Sequence, residues 1–152
     1  MSPDDPGRFM VGIGAIVEHQ SSGKILLLKR SSDLDCAAEE WDDVGGRMKQ
    51  FETPEETLRR EIREETGIDD IVVIKPLDVS HWFRGEKLAA NETIIITYWC
   101  RTSSFEVKLS PEHAAYRWAT PEEALTFVRQ EVVKSNIQSF IREREKEMKA
   151  SL

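Results

Sequence analysis

The segment that most constrains the fold of this chain is TPEETLRREIREETG, residues 53–67. Thr53 suits the N-cap of a helix, Pro54 suits the first helical position, and Gly67 suits the left-handed residue that ends one. Glu56 stands where it can complete a capping box with Thr53. The segment therefore predicts an α-helix over about residues 54–66.

Three carboxylates of this helix need an explanation. Glu61, Glu64 and Glu65 fall within an arc of roughly 100°, beside the apolar stripe formed by Leu58 and Ile62. A solvated charged face is the ordinary interpretation of such residues. However, Glu61 and Glu65 are one turn apart and neither has a basic residue four positions away, so their charges repel. We expect a cation at this place.

The other glutamates of the segment fit the ordinary interpretation. Glu55 precedes Arg59 by four residues and Glu56 precedes Arg60 by four, which is the favourable order for ion pairs along a helix. We expect both pairs to form on the solvated face.

Charge and length limit the partners of the protein. The chain has 152 residues, enough for one domain over residues 1–152, and a net charge of -7. The acidic balance argues against DNA or RNA as a partner, because no basic patch is evident. A small phosphorylated ligand is compatible with the negative net charge if metal ions neutralise the phosphates. There is no signal-like start and no membrane-length apolar run, which predicts a cytoplasmic protein with no membrane contact.

The two cysteines carry no predicted chemistry. Cys36 and Cys100 are too few and too far apart for a disulfide framework or a zinc site. We interpret both as ordinary thiols.

The pattern around the helix predicts strands. Residues 9–20 and 24–30 are rich in β-branched and apolar residues and read as two strands joined by a turn. Gly45 and Gly46 predict a tight turn. Residues 71–79 and 93–101 predict further strands, separated by a long polar excursion.

Two further helices follow. A second TPEE sequence at 120–123 predicts a helix through about residue 130, and the apolar face that includes Ile137 predicts a C-terminal helix over about 133–149. That face can pack internally or form a homodimer, and the charged end of the helix should fray. Strands interspersed with helices indicate a mixed sheet covered on both faces.

The spacing of residues 46–68 carries a family resemblance. Gly46 is followed by five residues and Glu52, then by seven residues and the run Arg60-Glu61-Ile62-Arg63-Glu64-Glu65-Thr66-Gly67-Ile68. This pattern resembles the 23-residue signature of the Nudix hydrolases at every specified position. The resemblance implies the Nudix fold, an α/β class with a three-layer α/β/α sandwich and a mixed β-sheet.

The resemblance also implies a metal site and a catalytic role for the helix. Nudix enzymes bind Mg²⁺ or Mn²⁺ through this helix and hydrolyse a diphosphate bond, and hard cations prefer oxygen ligands. The implied metal ligands are Glu61, Glu64, Glu65 and the carbonyl of Gly45. Glu61 is the first candidate for the general base, and Glu52 with Arg60 would form an ion pair that orients the site.

A further acidic residue is implied downstream of the signature. Residues 109–125 are similar to the segment in which many Nudix proteins place another carboxylate ahead of a tryptophan. By this likeness Glu112 is a candidate metal ligand or base, and the alternative is a surface carboxylate. His113 is expected to be structural, and Trp118 is expected in the core.

The substrate contacts are less determined. Trp82 and Phe83 are candidates for stacking on a base, as is Trp41, although ordinary packing explains each equally well. Arg30 and Arg47, with Lys29, stand at expected strand or loop ends where phosphates would lie. The alternative is that these cations face water.

The chain departs from the family pattern at two places. Asp43-Val44 stands where Leu-Pro is frequent, and Gln50-Phe51 stands where Pro-Gly is frequent. Markers of the ADP-ribose and NADH enzymes are absent, which leaves a general MutT-like pattern.

The resulting prediction is a metal-dependent pyrophosphohydrolase acting on a small-molecule nucleoside diphosphate derivative, with nucleoside triphosphates favoured. The alternatives are a dinucleoside polyphosphate or ADP-ribose hydrolase, or a nucleotide-binding sensor without activity.

Overall fold

The computed structural model describes residues 2–34 and 37–152. Its strands are β1 (Met10–His19), β2 (Ile25–Arg30), β3 (Trp41–Asp42), β4 (Val44–Arg47), β5 (Val72–Phe83), β6 (Glu92–Thr102) and β7 (His113–Ala119). Its helices are α1 (Pro54–Thr66), α2 (Pro121–Phe127) and α3 (Glu131–Ala150), with a short 3₁₀ turn at Ala89–Asn91. Cys36 lies outside the described residues.

The strands form a mixed sheet. Five of them follow the order β3-β2-β1-β6-β5, while β4 pairs with β1 and β7 pairs with β2. β1 and β6 are parallel, in register from Met10 opposite Thr93 to His19 opposite Thr102, and the other pairs are antiparallel. The predicted mixed sheet is confirmed.

Successive side chains of β1 point to opposite faces of the sheet, so β1 contributes to a hydrophobic core on each face. Ile13, Ala15 and Val17 pack with Leu58 and Ile62 of α1 in one cluster. Ile16, together with Trp99 of β6, belongs to a second cluster with α2 and α3 residues that include Ile137 and Phe140. Helices therefore cover both faces, which confirms the three-layer α/β/α sandwich. Ile137 is fully buried within the chain, so its face packs internally and is not available for a dimer.

Two predictions about connections were wrong. Gly45 and Gly46 lie in β4, paired with Gly14 and Ile13 of β1, and do not form a tight turn. β5 continues through Phe83, because its polar second half finds backbone partners in β6. The polar excursion is thus shortened to residues 84–91.

The C-terminal region also differs from expectation. α2 ends at Phe127, short of residue 130, and α3 begins at Glu131 and continues to Ala150. Arg144 of α3 binds buried Glu18 at 3.2 Å, and Glu147 binds Arg101 at 2.8 Å. These ion pairs tie the charged end of α3 to β1 and β6.

The helices of the described residues are all too short or too polar to span a bilayer.

Candidate active site

Local signals fix both ends of α1. The Thr53 hydroxyl accepts a hydrogen bond from the Glu56 backbone N–H at 3.2 Å, Pro54 occupies the first turn, and Gly67 ends the helix with a φ of 75°. The observed helix, Pro54–Thr66, matches the prediction. The helix α1 packs against strand β4 of the sheet.

The paired glycines let α1 approach β4 closely. A Cβ atom added to Gly46 would collide with the carboxylate of Glu61, and one added to Gly45 would collide with the carbonyl oxygen of Ile13. The two glycines are therefore required by close approach, since neither has a positive φ.

Glu65 is a buried carboxylate with one hydrogen bond. Its side chain accepts from the Gly45 backbone N–H at 3.2 Å, and the residue is 6% exposed. Burial raises its pKa to about 9, against the hydrogen bond from Gly45, and the charges of Glu61, Asp42 and Glu112 raise it further. The site thus holds a carboxyl group that favours either a proton or a cation at neutral pH.

Glu61 is half-buried beside it and is bound by a neighbouring arginine. Arg60 Nη1 donates to Glu61 Oε1 at 2.6 Å, a contact between sequence neighbours that spacing along the helix did not predict. Burial still raises the pKa of Glu61, and the charges of Glu64 and Glu112 act in the same direction, while Arg60 opposes the rise.

Arg60 connects α1 to the loop before it. Its guanidinium binds both oxygens of Glu52, at 2.5 and 2.9 Å, and donates to the Arg47 carbonyl at 3.0 Å. It also lies 3.3 Å from Glu64, but it does not form the predicted pair with Glu56. The hydrogen bond from Arg60 lowers the pKa of Glu52 to about 2. The Glu55–Arg59 pair forms as predicted, at 3.0 Å.

A cavity of about 970 Å³ begins at these carboxylates and extends over β1 and β6. Several of the predicted site residues line it: Gly45, Glu61, Glu64, Glu65, Glu112, Arg30, Arg47 and Trp82. Glu52 and Arg60 are not among the described residues that line the cavity, and Arg60 binds both Glu52 and Glu61.

Phe83, Trp41 and Lys29 are not among the described residues that line the cavity. Successive residues of β5 face opposite ways, so Phe83 contacts His81 and Lys87 on the far side from Trp82. Trp41 packs edge-on against Phe127, with ring centroids 5.3 Å apart.

Trp118 packs in the core, whereas His113 lines the cavity. His113 is the buried first residue of β7, its Nδ1 has no hydrogen-bond partner among the described residues, and burial lowers its pKa. Trp118 packs against the α1-side cluster, and its Nε1–H donates to the Phe105 carbonyl at 3.1 Å. Cys100 is a free, buried thiol whose pKa is raised to about 12 by burial.

A second polar group lies in the cavity and was not predicted from the sequence. Asp42 and Asp43 line it together with Gln130 and Asn136, and burial raises the pKa of both aspartates. Arg30 lies 3.7 Å from Asp42, and Asn136 Nδ2 donates to Asp43 Oδ2 at 2.9 Å. The signal available in the sequence was a pair of adjacent aspartates directly before the glycine-containing strand.

The donor set fits a hard divalent cation. Glu61, Glu64, Glu65 and Glu112 supply only oxygen, and the like charges of Glu61, Asp42 and Glu112 add to burial in raising the pKa of Glu65. No three His, Cys, Asp or Glu side chains among residues 2–34 and 37–152 are arranged to enclose an ion on their own.

The chain is similar to known proteins in sequence and in fold. The model of the NUDIX domain family matches residues 8–141. Nucleoside triphosphatase NudI of Escherichia coli O17:K52:H18 is 32% identical over 114 residues, covering 71% of this chain and 81% of NudI. The MutT protein from Methanosarcina mazei Go1 has a TM-score of 0.75 and 26% identity, covering 93% of this chain and 99% of that one.

A more distant structure shows the same fold. The E. coli dihydroneopterin triphosphate pyrophosphohydrolase has a TM-score of 0.73 at 19% identity, covering 88% of this chain and 95% of that one. Because the family model matches residues 8–141, most of its length, the chain belongs to the NUDIX domain family.

Proposed function

We propose that this protein is a divalent-metal-dependent pyrophosphohydrolase that cleaves a phosphoric anhydride bond of nucleoside triphosphates. The observation that carries the proposal is buried Glu65, hydrogen-bonded to Gly45 beside Glu61, at one end of a cavity large enough for a nucleotide. Repulsion among these carboxylates is relieved by a cation, and a cation there neutralises bound phosphates.

The carboxylates of α1 would hold the metal ion. Glu61, Glu64 and Glu65 are the proposed ligands for Mg²⁺ or Mn²⁺, with the Gly45 carbonyl and Glu112 completing the set. When bound, such an ion stabilises charge on the phosphate oxygens and lowers the pKa of water.

The side chains around the ion have separate roles. Glu61 accepts the proton of the attacking water as the water oxygen bonds to phosphorus and the P–O–P bridge breaks, with the bridging oxygen leaving on the other phosphate. Arg60, bound to both Glu52 and Glu61, keeps the Glu61 carboxylate in place. Glu52 and Arg60 are thus positioning residues.

The cavity supplies the remaining substrate contacts. Arg30 and Arg47 line it and carry the charge that phosphate oxygens require. Trp82 lines the cavity at 39% exposure and offers an aromatic face for stacking on a base. Phe83, on the other face of β5, is left without a substrate role.

Similarity to a nucleoside triphosphatase and to a MutT protein favours triphosphates over dinucleoside polyphosphates or ADP-ribose. The complete set of carboxylates in α1 favours an enzyme over a nucleotide sensor. We further propose that residues 1–152 act as one domain in the cytoplasm. A homodimer would use a surface other than the buried Ile137 face, and light scattering of the purified protein would show it.

The test is hydrolysis by the purified protein with Mg²⁺, using a panel of nucleoside triphosphates, ADP-ribose and dinucleoside polyphosphates, with products identified by mass. Glu61→Gln should lower turnover at least a hundredfold, about 3 kcal/mol in the barrier, while the thermal unfolding transition is retained. Glu145→Gln, an exposed glutamate of α3, is the matched control. Equal turnover in both variants would overturn the assignment of Glu61.

A further inference from the structure

A tight turn carries Glu112 to the cavity. Residues 110–113 all line the cavity, and the backbone N–H of His113 donates to the Ser110 carbonyl at 3.1 Å, which closes the turn. Pro111 occupies the second position of this turn, where its fixed φ is favourable. The local sequence therefore forms the turn, but it does not determine where the turn lies relative to the rest of the site.

The Glu112 carboxylate lies near the carboxylates of α1. Its charge contributes to the raised pKa of both Glu61 and Glu65. Glu112 is exposed, and among the residues that the structure describes its carboxylate forms no hydrogen bond or ion pair. The place from which this carboxylate projects is therefore set by the backbone of the turn.

The regular pairing of β2 with β7 is interrupted just before the turn. Lys29 lies opposite Ala115, whereas Arg30 lies opposite His113, so Ala114 is an extra residue on β7. A bulge of this kind bends its strand and changes the direction of the side chains that follow. Contacts beyond the bulge are then needed to hold the turn in place.

Ser31, the residue after β2, supplies these contacts. Its backbone N–H donates to the Glu112 carbonyl at 2.9 Å, and its Oγ donates to the Pro111 carbonyl at 2.9 Å. The two carbonyls belong to the peptide groups on either side of the Glu112 Cα atom. Because each peptide group is planar, holding both of them fixes the direction of the Glu112 side chain.

The side chains at the two ends of the turn do not share this role. Ser110 Oγ and His113 Nδ1 are buried, and neither has a hydrogen-bond partner within the part of the chain that the structure describes. The side-chain hydrogen bond that restrains the turn is thus the one from Ser31.

We propose that Ser31 is a positioning residue, which holds the turn so that the Glu112 carboxylate reaches the metal ion bound by α1. This inference rests on the proposed function, because it takes Glu112 as a metal ligand. Ser31 is not among the described residues that line the cavity, so it acts through Glu112 and not on the substrate.

Three substitutions of Ser31 separate its hydroxyl group from its shape. Ser31→Ala removes the bond to the Pro111 carbonyl and keeps the backbone bond to Glu112. It should weaken Mn²⁺ binding and lower kcat, each on the order of fivefold, because one of two restraints on the turn is lost. Ser31→Thr retains the hydroxyl and should restore both quantities. Ser31→Val has the shape of threonine without the hydroxyl and should behave as Ser31→Ala.

The decisive experiment is a double-mutant cycle between Ser31→Ala and Glu112→Gln. Binding of Mn²⁺ alone is measured from the electron paramagnetic resonance signal of the free ion, without nucleotide. If Ser31 acts through Glu112, Ser31→Ala weakens binding in the wild-type background and has no further effect in the Glu112→Gln background. Equal weakening in both backgrounds would show a general effect on the fold and would overturn the inference.

Ser32→Ala, a change of the exposed neighbouring serine, is the matched control and should bind Mn²⁺ as the wild-type protein does. Circular dichroism verifies that each variant is folded. Wild-type Mn²⁺ binding by folded Ser31→Ala, or by folded Glu112→Gln, would also overturn the inference.

The same measurements separate this inference from the proposed function. If the wild-type protein hydrolyses no nucleotide but the cycle shows the coupling, the hydrolase proposal fails and the role of Ser31 at the metal site is supported. If nucleotides are hydrolysed and Glu61→Gln abolishes turnover, but the cycle shows no coupling, the hydrolase proposal is supported and the role of Ser31 is overturned.

Discussion

The raised pKa of Glu65 predicts that the free energy of unfolding of the metal-free protein falls as the pH rises from acid to alkaline. Its pKa is about 9 in the folded protein, against an ordinary value of 4.5. Between these values the folded state keeps a proton that the unfolded state releases, so the free energy of unfolding falls with increasing pH. At 1.36 kcal/mol per pKa unit, this group alone costs on the order of 3 kcal/mol between pH 4.5 and 7.

The perturbation is Glu65→Gln, which removes the titration and keeps an oxygen for the Gly45 N–H. We expect the variant to match the wild-type free energy of unfolding near pH 4.5 and to exceed it by up to about 3 kcal/mol at pH 7. The same change should lower turnover at least a hundredfold, because a proposed metal ligand is lost. The variant thus exchanges activity for stability.

The assay is urea unfolding with a chelator present, at intervals from pH 4.5 to 9. Glu64→Gln is the matched control, because the Glu64 side chain is 53% exposed and this variant should keep the wild-type pH slope. Adding Mg²⁺ should stabilise the wild-type protein more at pH 8 than at pH 5. A Glu65→Gln variant with the wild-type slope would refute the reasoning.

Three other changes have defined outcomes. Gly46→Ala should displace the Glu61 carboxylate and so cost about 1–3 kcal/mol of stability and most of the activity, as measured by thermal unfolding and turnover. Glu52→Gln should lower the free energy of unfolding at pH 7, because the ionised Glu52 carboxylate stabilises the folded protein. The wild-type protein loses this stabilisation between about pH 4.5 and 2, where Glu52 takes up a proton, so the variant should lose less stability over that range. Phe51→Gly should raise Tm by about 2–4 °C, because Phe51 holds a φ of 71° that glycine adopts without strain.

Two of these changes have a matched control. Phe51→Ala removes the ring, which is 95% exposed, but retains the strained φ, so it should not share the gain in Tm. Glu56→Gln, on the same helix but not bound to Arg60, should keep the wild-type acid unfolding curve. A stable and fully active Gly46→Ala would show that Glu61 need not lie against that glycine.

The best-predicted element, α1, is encoded by signals next to each other in the chain. Thr53 and Pro54 begin the helix and Gly67 ends it, so no distant contact was needed to place its bounds. The acidic cluster followed from the same segment, because spacing along a helix fixes which side chains share a face.

The parts that could not be predicted depend on distant contacts. Asn136 stands 93 positions after Asp43, and no local pattern joins them. The glycines of β4 were predicted to form a turn, because the sequence does not show that Ile13 and Glu61 leave no room for a side chain at these two positions. Arg60 likewise binds Glu52 in the preceding loop in place of Glu56, because only the folded loop brings Glu52 within reach.

The parallel pairing of β1 with β6 determines when the cavity can exist during folding. Met10 pairs with Thr93 and His19 with Thr102, so a loop of about 80 residues must close before the first of these bonds forms. Such closure is slow compared with the formation of a helix from neighbouring residues. The acidic helix can therefore form well before the floor of its cavity, and substitutions that weaken the β1–β6 pairing should delay the appearance of activity during refolding more than they alter the activity finally reached.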